Sequence, residues 1–241
     1  IMALAALVSC TKSEVLNQES LQEKGITFSA YAGKATQTKA VSIYQDSLKN
    51  AGIGILAWRT GSNDVTADIL STNAPSFMPN VTLTWAKGAD NNYTGTYSPE
   101  RYWPSTGAKV SFFAYAPYSK GDGSAPTGQA AKFHPENITM PLDSEGKPDV
   151  GANKLTLIVP DTEFDKHTDF MVARKGNGEN NSGTTAQTIV QVPNPDYDVN
   201  DPSTGSEFID QTVPGIYVGI NQNLTKEYDG AVKLQMTHAL S

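Results

Sequence analysis

Lys109-Val110-Ser111-Phe112-Phe113-Ala114-Tyr115-Ala116-Pro117-Tyr118 is the stretch whose reading decides the fold. Val110, Phe112 and Ala114 fall on one side of an extended chain, and Ser111, Phe113 and Tyr115 on the other, because side chains alternate with period two. Large groups on both sides mean a strand covered on both sides, as in the middle of a sandwich. Just upstream, Tyr97-Ser-Pro99-Glu-Arg-Tyr102-Trp103-Pro104 reads as an aromatic anchor and a proline turn leading into that strand.

The same rhythm recurs outward in both directions. Ile26, Phe28 and Ala30 alternate with Thr27, Ser29 and Tyr31; Val81, Leu83 and Trp85 alternate with Thr82 and Thr84; Ile216, Val218 and Ile220 repeat the pattern. Val232, Leu234, Met236, His238 and Leu240 alternate with Lys233, Gln235, Thr237 and Ala239, a half-buried strand running into the last residues. Apolar runs at Ile53 to Trp58 and Leu155 to Val159 add two further strands. Asp90-Asn91-Asn92, Lys120-Gly-Asp-Gly-Ser and Gly176-Asn-Gly supply turns between them. Helical periodicity is scarce, with its best candidate at Ile43 to Lys49, and no internal repeat is found. Many strands without intervening helices predict an all-β, antiparallel β-sandwich. Residues 176–214 are loaded with Asn, Gly, Ser, Thr, Asp and Pro, and are read as a long loop or domain-boundary segment.

The chain's single cysteine, Cys10, directly follows the apolar run Ile1 to Ser9. About nine residues are too few to span a bilayer, which takes roughly twenty. They match the core of a secretory signal with a small residue before the cut. Leu7-Val8-Ser9-Cys10 also reads as a lipobox, the bacterial signal for cleavage before a cysteine and its acylation. Residues 1–9 are thus expected to be a partial lipoprotein signal peptide, residues 10–24 a lipidated polar tether, and residues 25–241 the sandwich. The missing start of the signal and the strand pattern reaching the last residue are read as a fragment of a longer protein.

At 241 residues, 38% of them hydrophobic, the chain has apolar surface for a sizeable core. A formal charge of -7 argues against a nucleic-acid partner, since phosphate binding needs clustered Lys and Arg. No cysteine follows Cys10, so no disulfide can brace the fold.

Signs of chemistry are weak. His134, His167 and His238 show no metal-ligand spacing, and His238, on the apolar side of its strand, reads as a hydrogen-bonded core histidine. Ser144-Glu-Gly-Lys147 matches a Ser-x-x-Lys pattern but lies in a Gly- and Pro-containing turn without partner motifs. Gly52-Ile-Gly54 and Gly176-Asn-Gly178 do not open helices, so no phosphate cradle follows. Asp196, Asp198, Asn200 and Glu207 occupy positions 1, 3, 5 and 12 of a calcium-loop spacing. Asp201 stands where the sharp turn wants glycine, so a solvated acidic loop is the plainer reading. Asn-x-Ser/Thr triplets at Asn80, Asn92, Asn137, Asn180 and Asn223 read as accidents of an Asn- and Thr-rich surface. No enzyme signature, cofactor site or firm metal site emerges.

The segment from Tyr97 to Tyr118 resembles the signature of the fimbrillin family of the Bacteroidetes, which comprises major pilins and fimbrial anchor lipoproteins. Ile26-Thr-Phe28-Ser resembles the family's opening strand, Asp169-Phe170-Met171-Val172-Ala173 its mid-domain motif, and Leu234-Gln-Met236-Thr-His238-Ala-Leu240-Ser241 its His-bearing strand. The resemblance implies transthyretin-like, Greek-key β-sandwich domains, a second one lying beyond the last residue. It implies a lipoprotein on the outer membrane at the cell surface, in fimbriae, with other fimbrial subunits and a maturation protease as partners. In pilus-forming members an arginine-directed protease removes the first strand, and a neighbour's strand fills the groove. Here Thr38-Lys39-Ala40 stands where many members have Thr-Arg-Ala. Either Lys39 is cut by a protease that accepts lysine, or this chain is never trimmed, as would suit an anchor; a plain exposed loop lysine is the third reading. The alternative function is a non-polymerising surface lipoprotein that binds glycans or host proteins through its loops.

Overall fold

The computed structural model describes residues 24–32, 43, 45–65, 67–87, 93–105, 107–127, 131–150, 155–160, 164–174, 188–193, 198, 200–201, 203, 208–212, 220–228 and 230–239. The first half carries β1 (Phe28–Ala32), α1 (Gln45–Ala51), β2 (Ile53–Arg59), α2 (Ala67–Thr72), β3 (Met78–Lys87), β4 (Tyr93–Thr96) and β5 (Val110–Ala116). The second carries β6 (Ile138–Thr139), β7 (Leu155–Ile158), β8 (Met171–Arg174), β9 (Thr188–Pro193), β10 (Phe208–Thr212), β11 (Ile220–Leu224) and β12 (Val232–His238).

β5 organises the molecule. One edge pairs along its length with β2. The other is shared: Tyr115 and Ala116 face Val172 and Met171 of β8, while Val110 and Phe112 face Leu224 and Ile220 of β11. The ladder order β5-β2-β3-β4-β1-β12-β8 therefore returns to β5 and closes a ring of seven strands. β10-β9-β7-β6 form a second, smaller sheet.

Both sides of β5 are buried along its whole length. Val110, Phe112, Ala114 and Ala116 join Phe28, Ile53, Ile55, Leu83, Leu234 and Met236 in the core inside the ring. Phe113 and Tyr115 join Leu56, Trp58, Phe170 and Val172 in a second core that includes Leu155 and Leu157 of β7. The unbroken apolar run of β2 has the same cause, since Ile53, Ile55 and Ala57 serve one core and Leu56 and Trp58 the other. Strand β12 is half-buried, with Val232, Leu234 and Met236 inside and Lys233 and Gln235 exposed.

Three expectations are corrected. The sheets are not wholly antiparallel, because β1 runs parallel to β12 and β7 parallel to β9. Alternation tells which face a side chain takes but not the direction of the neighbouring strand, and a parallel pair needs only a long connection. Residues 176–214, read as a long loop or domain-boundary segment, are not all loop, since they contain β9 and β10, paired antiparallel from Phe208↔Pro193 to Thr212↔Ile189. The helix starts two residues later than Ile43, which is itself buried in the first core. Of the strand expected at Ile216 to Ile220, residues 216–219 lie outside the described residues, and Ile220 opens β11.

Asn80 is buried rather than a surface residue. It takes a positive φ of 54°, where β3 sets three steps, Met78 to Val81, against two of β2, Ile55 to Ala57. Asparagine is among the few residues that tolerate this conformation. Its side chain plugs the bulge: Nδ2 donates to the Ser119 carbonyl at 2.8 Å, and Oδ1 lies 2.7 Å from the Tyr115 hydroxyl.

Candidate interaction site around the first strand

β1 is an interior strand, with β12 on one side and β4 on the other. Its ladder to β12 runs from Phe28↔Val232 to Ala32↔Met236, and Phe28↔Gly95 and Ser29↔Thr94 join it to β4. Phe28 is fully buried, whereas Tyr31, on the outer face, is 57% exposed. Burying a phenylalanine side chain is worth about 2–3 kcal/mol.

Gly95 shapes the floor beside Phe28. A β-carbon at Gly95 would stand 2.9 Å from the Trp85 ring and 3.5 Å from Phe28 Cβ, so only glycine lets Trp85 lie across β4 here. Edge-on rings complete the pocket: Phe28 lies 5.6 Å from Tyr97 and 5.5 Å from Phe112 between centroids. Trp103 extends the cluster, 5.9 Å from Phe112 and 6.0 Å from Tyr228.

The aromatic–proline segment closes over the chain entering β1. Ile26 N–H donates to the Arg101 carbonyl at 2.8 Å, and Trp103 N–H donates to the Lys24 carbonyl at 2.9 Å. The Tyr97 hydroxyl donates to the Ile26 carbonyl at 2.8 Å, and burial raises its pKa above the ordinary tyrosine value. Arg101 Nε donates to the Phe77 carbonyl at 3.0 Å, so this arginine is a structural brace. Lys24 Nζ reaches the Tyr228 carbonyl at 2.7 Å, and Val232 N–H donates to the Thr27 carbonyl at 2.8 Å. Residues 24–28 are thereby gripped from both sides.

Two sequence motifs meet at Asp169. His238 Nδ1 donates to Asp169 Oδ1 at 2.6 Å, and Asp169 Oδ2 accepts the Ile43 N–H. His238 is hydrogen-bonded as expected but half-buried rather than a core residue, and its partner belongs to the Asp-Phe-Met motif. One carboxylate thus ties the chain entering α1 to the end of β12 and the start of β8, where His238 pairs with Met171.

The remaining candidates separate. Cys10, Lys39, Asp196 and Glu207 lie outside the described residues. Asp198 and Asn200 form a turn in which Asp198 Oδ1 accepts the Asn200 N–H at 2.9 Å. Lys147 Nζ turns to Glu145 at 2.6 Å rather than to Ser144, and Asp143 Oδ1 organises the turn by accepting the amides of Glu145 and Lys147. His134 bonds Glu136 and the Asp165 carbonyl, and His167 the Pro160 carbonyl. Among the described residues no three His, Cys, Asp or Glu side chains gather as a metal site. The buried Asn80–Tyr115–Ser119 group escaped sequence reasoning; its only sequence trace is an asparagine opening an apolar strand.

Comparison with known proteins gives the chain its relatives. The chain is 31% identical over 119 residues to Fimbrium subunit Fim1C of Phocaeicola vulgatus, covering 49% of this chain and 29% of that protein. A crystal structure of a fimbrial protein from Bacteroides vulgatus aligns with a TM-score of 0.46 at 20% identity, over 88% of this chain and 45% of the other. The chain thus spans less than half the length of either relative. A family model described as fimbrillin-like matches residues 38–191, well over half of the sequence. The chain belongs to the fimbrillin-like family.

Proposed function

We propose that this chain is a structural subunit or anchor of bacterial surface fimbriae, with a mechanical rather than an enzymatic role. It is exported as a lipoprotein acylated at Cys10, sits at the outer membrane surface, and joins other fimbrial subunits by strand exchange. A protease that accepts Lys39 releases β1, and a strand from a neighbouring subunit takes its place. On this reading the ring and its smaller sheet are a variant of the transthyretin-like, Greek-key sandwich, and a second such domain belongs to the full protein.

One observation carries the reading. The first described strand is an interior strand of a closed ring, and its inward side chains complete the core. Taking it away opens a groove with backbone donors and acceptors on both walls and an apolar floor. Such a groove is suited to strand addition, where main-chain bonds hold the guest and alternate side chains fill pockets.

Incubating the lipidated full-length precursor with a trypsin-like protease tests this. Loss of everything before Ala40, followed by ladders of oligomers that survive mild denaturant, is the expected result. A trimmed protein that stays monomeric at all concentrations would overturn it.

A further inference from the structure

The inward face of β1 and the inward face of β5 carry the same order of side chains. Residues 26–32 read Ile-Thr-Phe-Ser-Ala-Tyr-Ala, and residues 110–116 read Val-Ser-Phe-Phe-Ala-Tyr-Ala. In each, an aliphatic residue is followed at alternate positions by Phe, Ala and Ala. The echo is too short to register as a domain repeat.

The ring explains the echo. Stepping from β1 through β4, β3 and β2 to β5 crosses four antiparallel ladders, so β5 runs in the direction of β1. Phe28 and Phe112 meet edge to face at 5.5 Å. Ala30 and Ala32 of β1, with Ala114 and Ala116 of β5, line the same core beyond them. At that end α1 packs against β1 and β3, and its Leu48 and Ala51 belong to the same core. The side chains that β1 and β5 give to the interior therefore taper from bulky at the aromatic end to small at the end where α1 joins the core, Ala51 accepting the Tyr118 N–H just beyond Ala116. Interiors are packed near crystal density, so a bulky group at the narrow end has nowhere to go.

Resting on the strand-exchange reading above, we propose that the β1 groove selects its guest by this taper. The guest is a strand of a partner fimbrial subunit with an aliphatic residue, a phenylalanine and two small residues at alternate positions, in the register of Ile26, Phe28, Ala30 and Ala32. Phenylalanine fills the pocket over Gly95 between Tyr97 and Phe112, and the two small residues pass beneath α1.

The test uses the full chain nicked by a specific protease site inserted between Gln37 and Thr38, so that β1 stays seated but is no longer tethered. Two labelled peptides of residues 24–37 are offered in excess: the native sequence, and one in which Phe28→Ala and Ala32→Phe transpose the bulk. Composition is unchanged, and reversing the strand does not restore the fit. The native peptide should label the nicked protein, and the transposed one should need at least a hundredfold higher concentration. Equal labelling by both would overturn the taper while leaving strand exchange standing. Labelling by neither, with nicking complete, would sink strand exchange and the taper with it.

Discussion

Asp169 and His238, 69 residues apart, are joined by a 2.6 Å hydrogen bond between Oδ1 and Nδ1. The aspartate's other oxygen holds the backbone of Ile43. Both side chains are shielded, at 13% and 29% exposure. β12 is a direct neighbour of β1, so the pair fastens that neighbour to the chain entering α1.

Replacing Asp169 by Ala removes one acceptor from His238 and one from the Ile43 amide. A hydrogen bond to a charged group is worth about 1.5–3 kcal/mol. The urea midpoint should fall by a corresponding amount, and hydrogen exchange at Ile43 should speed at least tenfold. Exchange in β2 and β5 should change less, and unchanged protection at Ile43 would remove Asp169 from this role.

Phe28→Ala removes the ring that seals the floor. Large-to-small substitutions of a buried phenylalanine cost about 3–5 kcal/mol. Ala32→Leu in the full chain should cost about 1–3 kcal/mol by overpacking. Equilibrium urea unfolding measures both, with an unchanged slope showing that the folded state is otherwise the same.

Gly95→Ala sets a methyl group against the Trp85 ring. Displacing that ring should cost about 1–3 kcal/mol and shift tryptophan fluorescence. Unchanged emission and stability would show that Trp85 does not depend on the gap.

Burial drives the Tyr115 hydroxyl pKa far above the ordinary value of 10.0, outweighing its hydrogen bonds to Ser119 and Asn80. Above about pH 10 the unfolded chain releases this proton while the folded chain keeps it, so the unfolded state binds fewer protons and stability falls as pH rises. Tyr115 contributes up to about 1.4 kcal/mol per pH unit to that fall. Tyr115→Phe should flatten the alkaline slope, yet lower stability at neutral pH by about 1–3 kcal/mol, because Asn80 Oδ1 loses its donor. A variant with the same alkaline slope as the parent would count against this.

β5 was legible because bulk on both faces has few explanations, and the two cores account for each of its aromatic residues. β12 was legible because one face meets solvent and the other does not. β9 was missed: Thr188-Ile-Val-Gln-Val192 is rich in β-branched residues, but the glycine- and asparagine-rich surroundings masked it. The parallel pairing of β1 with β12 was invisible, since a partner more than two hundred residues away leaves no local trace. For the site, the sequence marked the Tyr97–Trp103 clasp and the two halves of the Asp169–His238 pair. It did not reveal that they flank the two ends of β1. Nor did it show Gly95, whose importance lies in a side chain it lacks.

Among the described residues β8 and β11 divide one edge of β5 between them, so the seven-stranded ring closes on itself and leaves β11 as the outer strand of that sheet. Exposed borders invite indiscriminate sticking between sheets. Closing the ring removes such borders from its seven strands. On the strand-exchange proposal, joining a neighbour then waits for a covalent cut rather than for a rise in concentration.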